Sequence, residues 1–240
     1  MSGISLADVR SSRSLSYQFR LRRDRLLRAF IVARRAETTG VFRVVDLGGT
    51  ADYWRRVGFE FLEANEIDIT CVNHLPTEFG ISDREGARFR CVVGDACDLT
   101  GHPDNSFDFV HSNSVIEHVG RWPQMRAFAE EVRRLAPAYY VQTPYYWFPI
   151  DPHFHRLPFY HWLPESLRAK LHRRFKLGYA RPDDNIDAAM RLVQSSVLID
   201  HSQFAALFDD AVIRFERIAL LPKSMIAMRG VPLGLKSMTV

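Results

Sequence analysis

The hydrophobic positions change period along the chain. Between residues 15 and 32, Leu15, Phe19, Leu26 and Phe30 recur at helical spacing, Leu27 and Ile31 widen the stripe, and arginines fill the opposite face, predicting an amphipathic helix. After Gly40 short β-branched and aromatic runs take over. Residues 41–46, 68–73, 89–93, 107–111 and 138–142 read as strands, and Met125, Phe128, Val132 and Leu135 mark a helix before the last of them that Pro137 stops. Strands that alternate with helices require parallel crossovers and a sheet covered on both faces.

The stretch 143-TPYYWFPIDPHFHRLPFYHWLP-164 is too rich in proline and aromatics for a regular element, and is expected to be a loop held by its rings. Helical patterns follow at 164–175, 183–194 and 201–208. The runs 212–218 and 224–228 are joined by a few residues including Pro222, which predicts an antiparallel hairpin. The organisation expected is a basic helical arm over 1–38 and an α/β domain over 39–240, with a substrate-side insertion at 143–197.

Composition changes this picture in two respects. The 240 residues carry a net charge of +4, but residues 1–35 hold nine arginines against Asp8 and Asp24, so the arm is +7 and the remainder −3. The arm therefore packs as a lid on the domain, meets an anionic membrane surface or polyanion, or mediates dimerisation. Cys71, Cys91 and Cys97 lack metal or disulfide spacing and read as reduced small hydrophobes. With no run of roughly 18 apolar residues and no uninterrupted leader-like segment, a cytoplasmic protein is expected.

Candidate chemistry begins at 43-RVVDLGGTADYW-54, where the first strand ends in a carboxylate and two glycines. Glycines at a strand tip let a ligand approach the backbone, and ligands of open parallel sheets bind at that edge. A pyrophosphate is disfavoured, because the third glycine of G-x-G-x-x-G is missing and Asp52 would oppose the phosphates. A ligand bearing an ammonium suits Asp46 better.

Together with ITCVNH at the second strand, VVGDACDL after the third and FDFVHSNSVIEHV at the fourth, VVDLGG resembles the class I S-adenosylmethionine-dependent methyltransferases, over about residues 42–228. The resemblance implies a Rossmann-like seven-stranded, mostly parallel sheet with helices on both faces and an antiparallel C-terminal hairpin. It implies S-adenosyl-L-methionine as cofactor, with Asp46 toward the methionine ammonium and Gly48, Gly49 and Thr50 forming the turn beneath methionine and ribose. Asp95 and Ala96 match the adenine-binding motif, and Ser112 and Asn113 the fourth-strand turn around the methionyl part. Two departures stand out: the glycine run reads Gly48-Gly49-Thr50, and the second-strand acid for the ribose is Asn73, whose amide lacks a charge-assisted grip.

On the acceptor side, His118 of I-E-H-V and His153 of D-P-H-F-H are candidate bases for a hydroxyl acceptor, each with a structural hydrogen-bonding role as the alternative. Trp122, Tyr145, Tyr146 and His155 are the candidate acceptor contacts; the aromatics either stack on a sugar or flat ring or anchor the loop. Asp151, His153, His155 and His161 have metal-ligand chemistry, but nothing in their spacing fixes a four-ligand geometry, so no metal is expected. The expected activity is methyl transfer, at oxygen, to a small molecule or glycan precursor. The alternatives are a non-catalytic binding module on the same fold, or an RNA methyltransferase using the arginine arm as a phosphate clamp, the latter disfavoured by the net negative body.

Overall fold

A computed structural model describes residues 15–79, 88–154, 157–177 and 184–235. Seven strands form one sheet in the order β3-β2-β1-β4-β5-β7-β6. They are β1 (Phe42–Leu47), β2 (Ile67–Asn73), β3 (Phe89–Val93), β4 (Phe109–Asn113), β5 (Tyr139–Pro144), β6 (Val212–Ile218) and β7 (Leu221–Arg229). The first five run parallel, while β7 lies antiparallel to β5 and pairs with β6 as a hairpin. The strand order reverses between β1 and β4, so the carboxyl ends of those strands open at the switch point where such sheets take ligands.

Alternation along the strands assigns each side chain to a face. Phe42, Val44, Ile67, Ile69, Cys71, Phe109, Tyr140, Ile226 and Met228 face one core, covered by α1 (Leu15–Arg35), α2 (Ala51–Val57) and α3 (Phe59–Ala64). Val45, Leu47, Val72, Val110, Tyr139, Val141, Met225 and Ala227 face the other, covered by α4 (Trp122–Leu135) and α7 (His201–Leu207). A smaller pair, α5 (Glu165–Arg174) and α6 (Ile186–Val193), packs beyond β5.

The amphipathic stripe of α1 is docked on the sheet. Leu26, Leu27, Phe30 and Ile31 are at most 1% exposed, and Phe30 meets Phe109 edge-on at 5.1 Å. The arginine face is partly used within the molecule: Arg23 pairs with Glu216, Arg34 with Glu37, Arg35 with Glu66, and Asp24 of the same helix with Arg56. No described helix is long and apolar enough to cross a membrane.

The strand at 107–111 is displaced by two residues, because Phe107 and Asp108 still belong to the approach, the Asp108 amide donating to the Arg43 carbonyl at 2.8 Å. The helical stretch after the first strand splits in two, because Gly58 at φ +110° ends α2 and starts α3.

Candidate active site

The carboxyl edge of the sheet gathers the motif residues in strand order. Asp95 follows β3, Asn73 ends β2, Gly48 and Gly49 follow β1, Ser112 and Asn113 end β4, and Tyr145 and Tyr146 follow β5. Thr50 caps α2 by accepting from the Tyr53 amide.

Asp46 does not present a carboxylate at the tip of β1. It shares the Val44 face, so its side chain turns inward beneath α2, where it is 2% exposed. Trp54 Nε1 donates to Oδ2 at 2.7 Å, and Oδ1 lies 2.7 Å from His111 Nδ1. His111 in turn stacks on Tyr140 at 5.8 Å. This acid braces β1, β4 and α2 together.

The glycines are correspondingly bare for the protein's own packing. A Cβ on Gly49 would fall 2.4 Å from Asp46 Cγ, and one on Gly48, where φ is +73°, would fall 2.3 Å from Val115 Cγ2. The bare positions of Gly48 and Gly49 are therefore also required by the protein's own packing, against Val115 and Asp46. Asn73 holds the turn from the next strand, donating through Nδ2 to the Gly49 carbonyl at 2.5 Å and leaving Oδ1 available to a hydroxyl donor. Asp95 is exposed; Oδ1 accepts the Cys97 amide at 2.8 Å, which fixes the carboxylate. Ala96 behind it is 8% exposed. Ser112 is buried and donates to the Leu47 carbonyl at 3.0 Å, tying β4 to β1. Asn113 Oδ1 accepts from Arg23 of α1 at 3.3 Å. The edge thus offers an exposed acid, an amide oxygen and a braced turn in a row, a donor and acceptor set that fits an adenosyl group.

Past β4, Ser114 takes a left-handed backbone at φ +58° and donates to Gln142 Oε1 at 3.0 Å. That turn sends Glu117 inward and His118 outward. Glu117 is fully buried, with Oε2 accepting from Thr143 Oγ1 at 3.0 Å, and burial pushes its carboxyl up to about 7. His118 Nδ1 lies 2.8 Å from the Ser195 carbonyl, and burial draws its imidazole below the ordinary value. His153 Nδ1 lies 2.8 Å from Oδ1 of the buried Asp151. Burial also works against a charged His153, but the Asp151 bond and charge, with Glu117 beyond, outweigh it and leave the ring above its ordinary value. The two histidines, 35 residues apart, face each other with their Nε2 atoms 3.0 Å apart.

Of the metal-type quartet considered in the sequence, the structure joins only Asp151 and His153. His161 is buried elsewhere, with Nε2 2.7 Å from the Tyr146 carbonyl, and His155 lies outside the described residues. The aromatic segment divides. Phe154 and Tyr160 pack as tilted rings 4.5 Å apart in a small core with Leu177, and Tyr145 packs on Phe215 at 5.3 Å. Trp147, Phe159 and Trp162 stay at the surface, and Trp122 opens α4 at 39% exposure. The Tyr146 carbonyl anchors the loop by accepting from Trp162 Nε1 as well.

Glu117 was not singled out from the sequence, and Asp151 was weighed there only as a metal-type ligand. An acid directly before the histidine in I-E-H-V was the signal that could have found Glu117.

Residues 53–138 match a family model described as a methyltransferase domain. No curated protein matches the chain significantly. Among solved structures, magnesium protoporphyrin IX methyltransferase from Synechocystis PCC 6803, with bound SAH, is 11% identical at a TM-score of 0.52, over 89% of this chain and 85% of that one. A structure described as a Zn-dependent alcohol dehydrogenase from Rhodobacter sphaeroides is 13% identical at 0.53, over 87% and 90%. One described as a sarcosine dimethylglycine methyltransferase from Galdieria sulphuraria reaches 21% at 0.41, over 52% of this chain and 46% of that one, so the match spans less than half of that relative's length. At such identities the structural likeness speaks to the fold. Joined to the family match and to the motifs aligned along the carboxyl edge, it leads to one conclusion: residues 53–138 are similar to a methyltransferase domain, set in a Rossmann-like sheet of the kind seen in the methyltransferase structure with bound SAH.

Proposed function

We propose that the protein is a class I S-adenosylmethionine-dependent methyltransferase, that its acceptor is a small molecule or glycan precursor methylated at a hydroxyl oxygen, and that the hydroxyl is received at the His118–His153 pair. The observation that carries this reading is the pair itself: two imidazoles anchored through Nδ1, with their Nε2 atoms together beside the ends of β4 and β5. An amine acceptor is nucleophilic without help, whereas a hydroxyl is weakly acidic and needs its proton handled at the moment of attack. S-adenosyl-L-methionine, when bound, supplies a methyl group on a sulfonium sulfur.

The chain's own part is positioning and proton transfer. Asp95 and Asn73 are assigned to the adenosine, and the turn at Gly48, Gly49 and Thr50, with Ser112 and Asn113, to the methionyl end. Asp46 acts through the turn, by holding Trp54 and His111 in place beneath it. Trp122, Tyr145 and Tyr146, with the exposed rings of Trp147 and Phe159, offer flat apolar surface for a sugar or ring.

The test combines calorimetric titration of SAH with an acceptor panel of hydroxyl and amine compounds, scored by product mass. SAH should bind, hydroxyl acceptors should be methylated, and His118→Ala or His153→Ala should lower kcat by roughly 10²–10⁴-fold while SAH affinity holds. Methylation confined to amines, or unaffected by both variants, would overturn the reading.

A further inference from the structure

Glu117, His118 and His153 each bring a ligand-type atom within 4.8 Å of the others. The acceptors at the far side of the rings settle the tautomers. The Ser195 carbonyl and the Asp151 carboxylate accept and do not donate, so Nδ1 carries the proton on both rings. With Nδ1 committed on both rings, the two Nε2 atoms face each other 3.0 Å apart. One cation set between them, a metal ion or a proton, would satisfy both lone pairs. The rings meet at 87° with centroids 4.7 Å apart, too close for the nitrogens to face along one straight N–H···N line.

Glu117 supplies a second, independent observation. Its side chain is fully buried, Oε2 is engaged by Thr143, and Oε1 has no partner in the protein. Asp151 is buried on the other side of His153, and no arginine or lysine among the described residues pairs with either carboxylate. Two carboxyl groups buried without a basic side chain beside them are costly to ionise, and a cation bound at the histidine pair would compensate them.

We infer that Glu117, His118 and His153 form a binding site for one divalent transition-metal ion of the zinc class. Two imidazole nitrogens and one carboxylate oxygen suit zinc, cobalt or nickel, whereas magnesium and calcium prefer oxygen throughout. Zn–N bonds of about 2.0–2.1 Å put tetrahedral ligand pairs about 3.3 Å apart, close to the spacing of the two Nε2 atoms. Asp151 and the Ser195 carbonyl hold the far nitrogens as outer partners of a metal-bound histidine do. Three protein ligands leave one position open, as at catalytic rather than structural zinc. What fills that position rests on the proposed hydroxyl acceptor: its oxygen would bind the ion, and the acidified O–H would release its proton to water. The Nε2 atoms then serve as ligands, and the ion carries out the proton-lowering task of the pair.

The test uses the whole chain, stripped with a chelator and titrated with Zn²⁺ by calorimetry and with Co²⁺ by visible absorption. One equivalent should bind, with the intense bands of a tetrahedral cobalt site. His153→Gln and Glu117→Gln should abolish stoichiometric binding, and Asp151→Asn, which leaves all three ligands, should weaken it about 10–100-fold. Retained SAH binding and melting temperature show that a variant is folded. Absence of stoichiometric binding, or equal binding by the folded variants, overturns the site. Zn²⁺ bound as expected without methylation of any hydroxyl compound supports the site and overturns only the acceptor reading. Full-rate hydroxyl methylation by a protein that binds no Zn²⁺ does the reverse.

Discussion

Gly49 shows how one absent β-carbon is used. The space that a side chain would need is held by Asp46, whose oxygens receive Trp54 and His111. Gly49→Ala must therefore displace a buried, doubly bonded carboxylate, with an expected cost of about 1–3 kcal/mol, the usual range for overpacking. Equilibrium denaturation would read it, and a Tm unchanged from wild type would mean that Asp46 has somewhere else to go. The sequence made Asp46 legible as a special residue but not its direction. Strand alternation, applied from Val44, would have placed it on the α1/α2 face, and only the observed packing of Trp54 shows that this face closes over it. His118 and His153 were legible as chemical groups on the acceptor edge. Their meeting was not, because it depends on the left-handed turn at Ser114 and on the path of a proline-rich loop, and neither is periodic.

Element boundaries followed hydrophobic period closely wherever a strand was buried on both faces, as in β1, β2 and β5, and less so at β4, where the aromatic run begins before the ladder does. The amphipathic stripe of α1 reports tertiary burial. Phe30→Ala should cost about 3–5 kcal/mol in urea unfolding, the range for emptying a core aromatic site; a helix merely resting on the surface would lose far less. At the other end of the sheet, Asp210 receives the Tyr139 hydroxyl and Arg229 Nη1. Burial favours its neutral form, but these two donors prevail and hold the carboxyl below its ordinary value. A depressed carboxyl contributes stability that is complete above its unfolded pKa of about 3.9 and is lost as pH falls through the folded value. Asp210→Asn should therefore lower Tm at neutral pH, with the gap to wild type narrowing below about pH 4; a pH-independent gap would assign the effect to packing.

For the molecule as a whole, the alternation of strands and helices made the parallel sheet legible, and the short connection around Pro222 made the hairpin so. What local pattern does not encode is the place of that hairpin in the sheet: β7 sits beside β5 rather than beyond β6. This placement has a consequence for biosynthesis. β5 leads into the aromatic loop, yet the strand that completes its hydrogen bonding leaves the ribosome only after that loop, α5, α6, α7 and β6 have been made. Through that interval the nascent chain carries an unpaired, largely buried strand edge, the kind of surface that chaperones shield and neighbouring chains capture. Completion of the sheet is in this sense a property of the last strand to arrive.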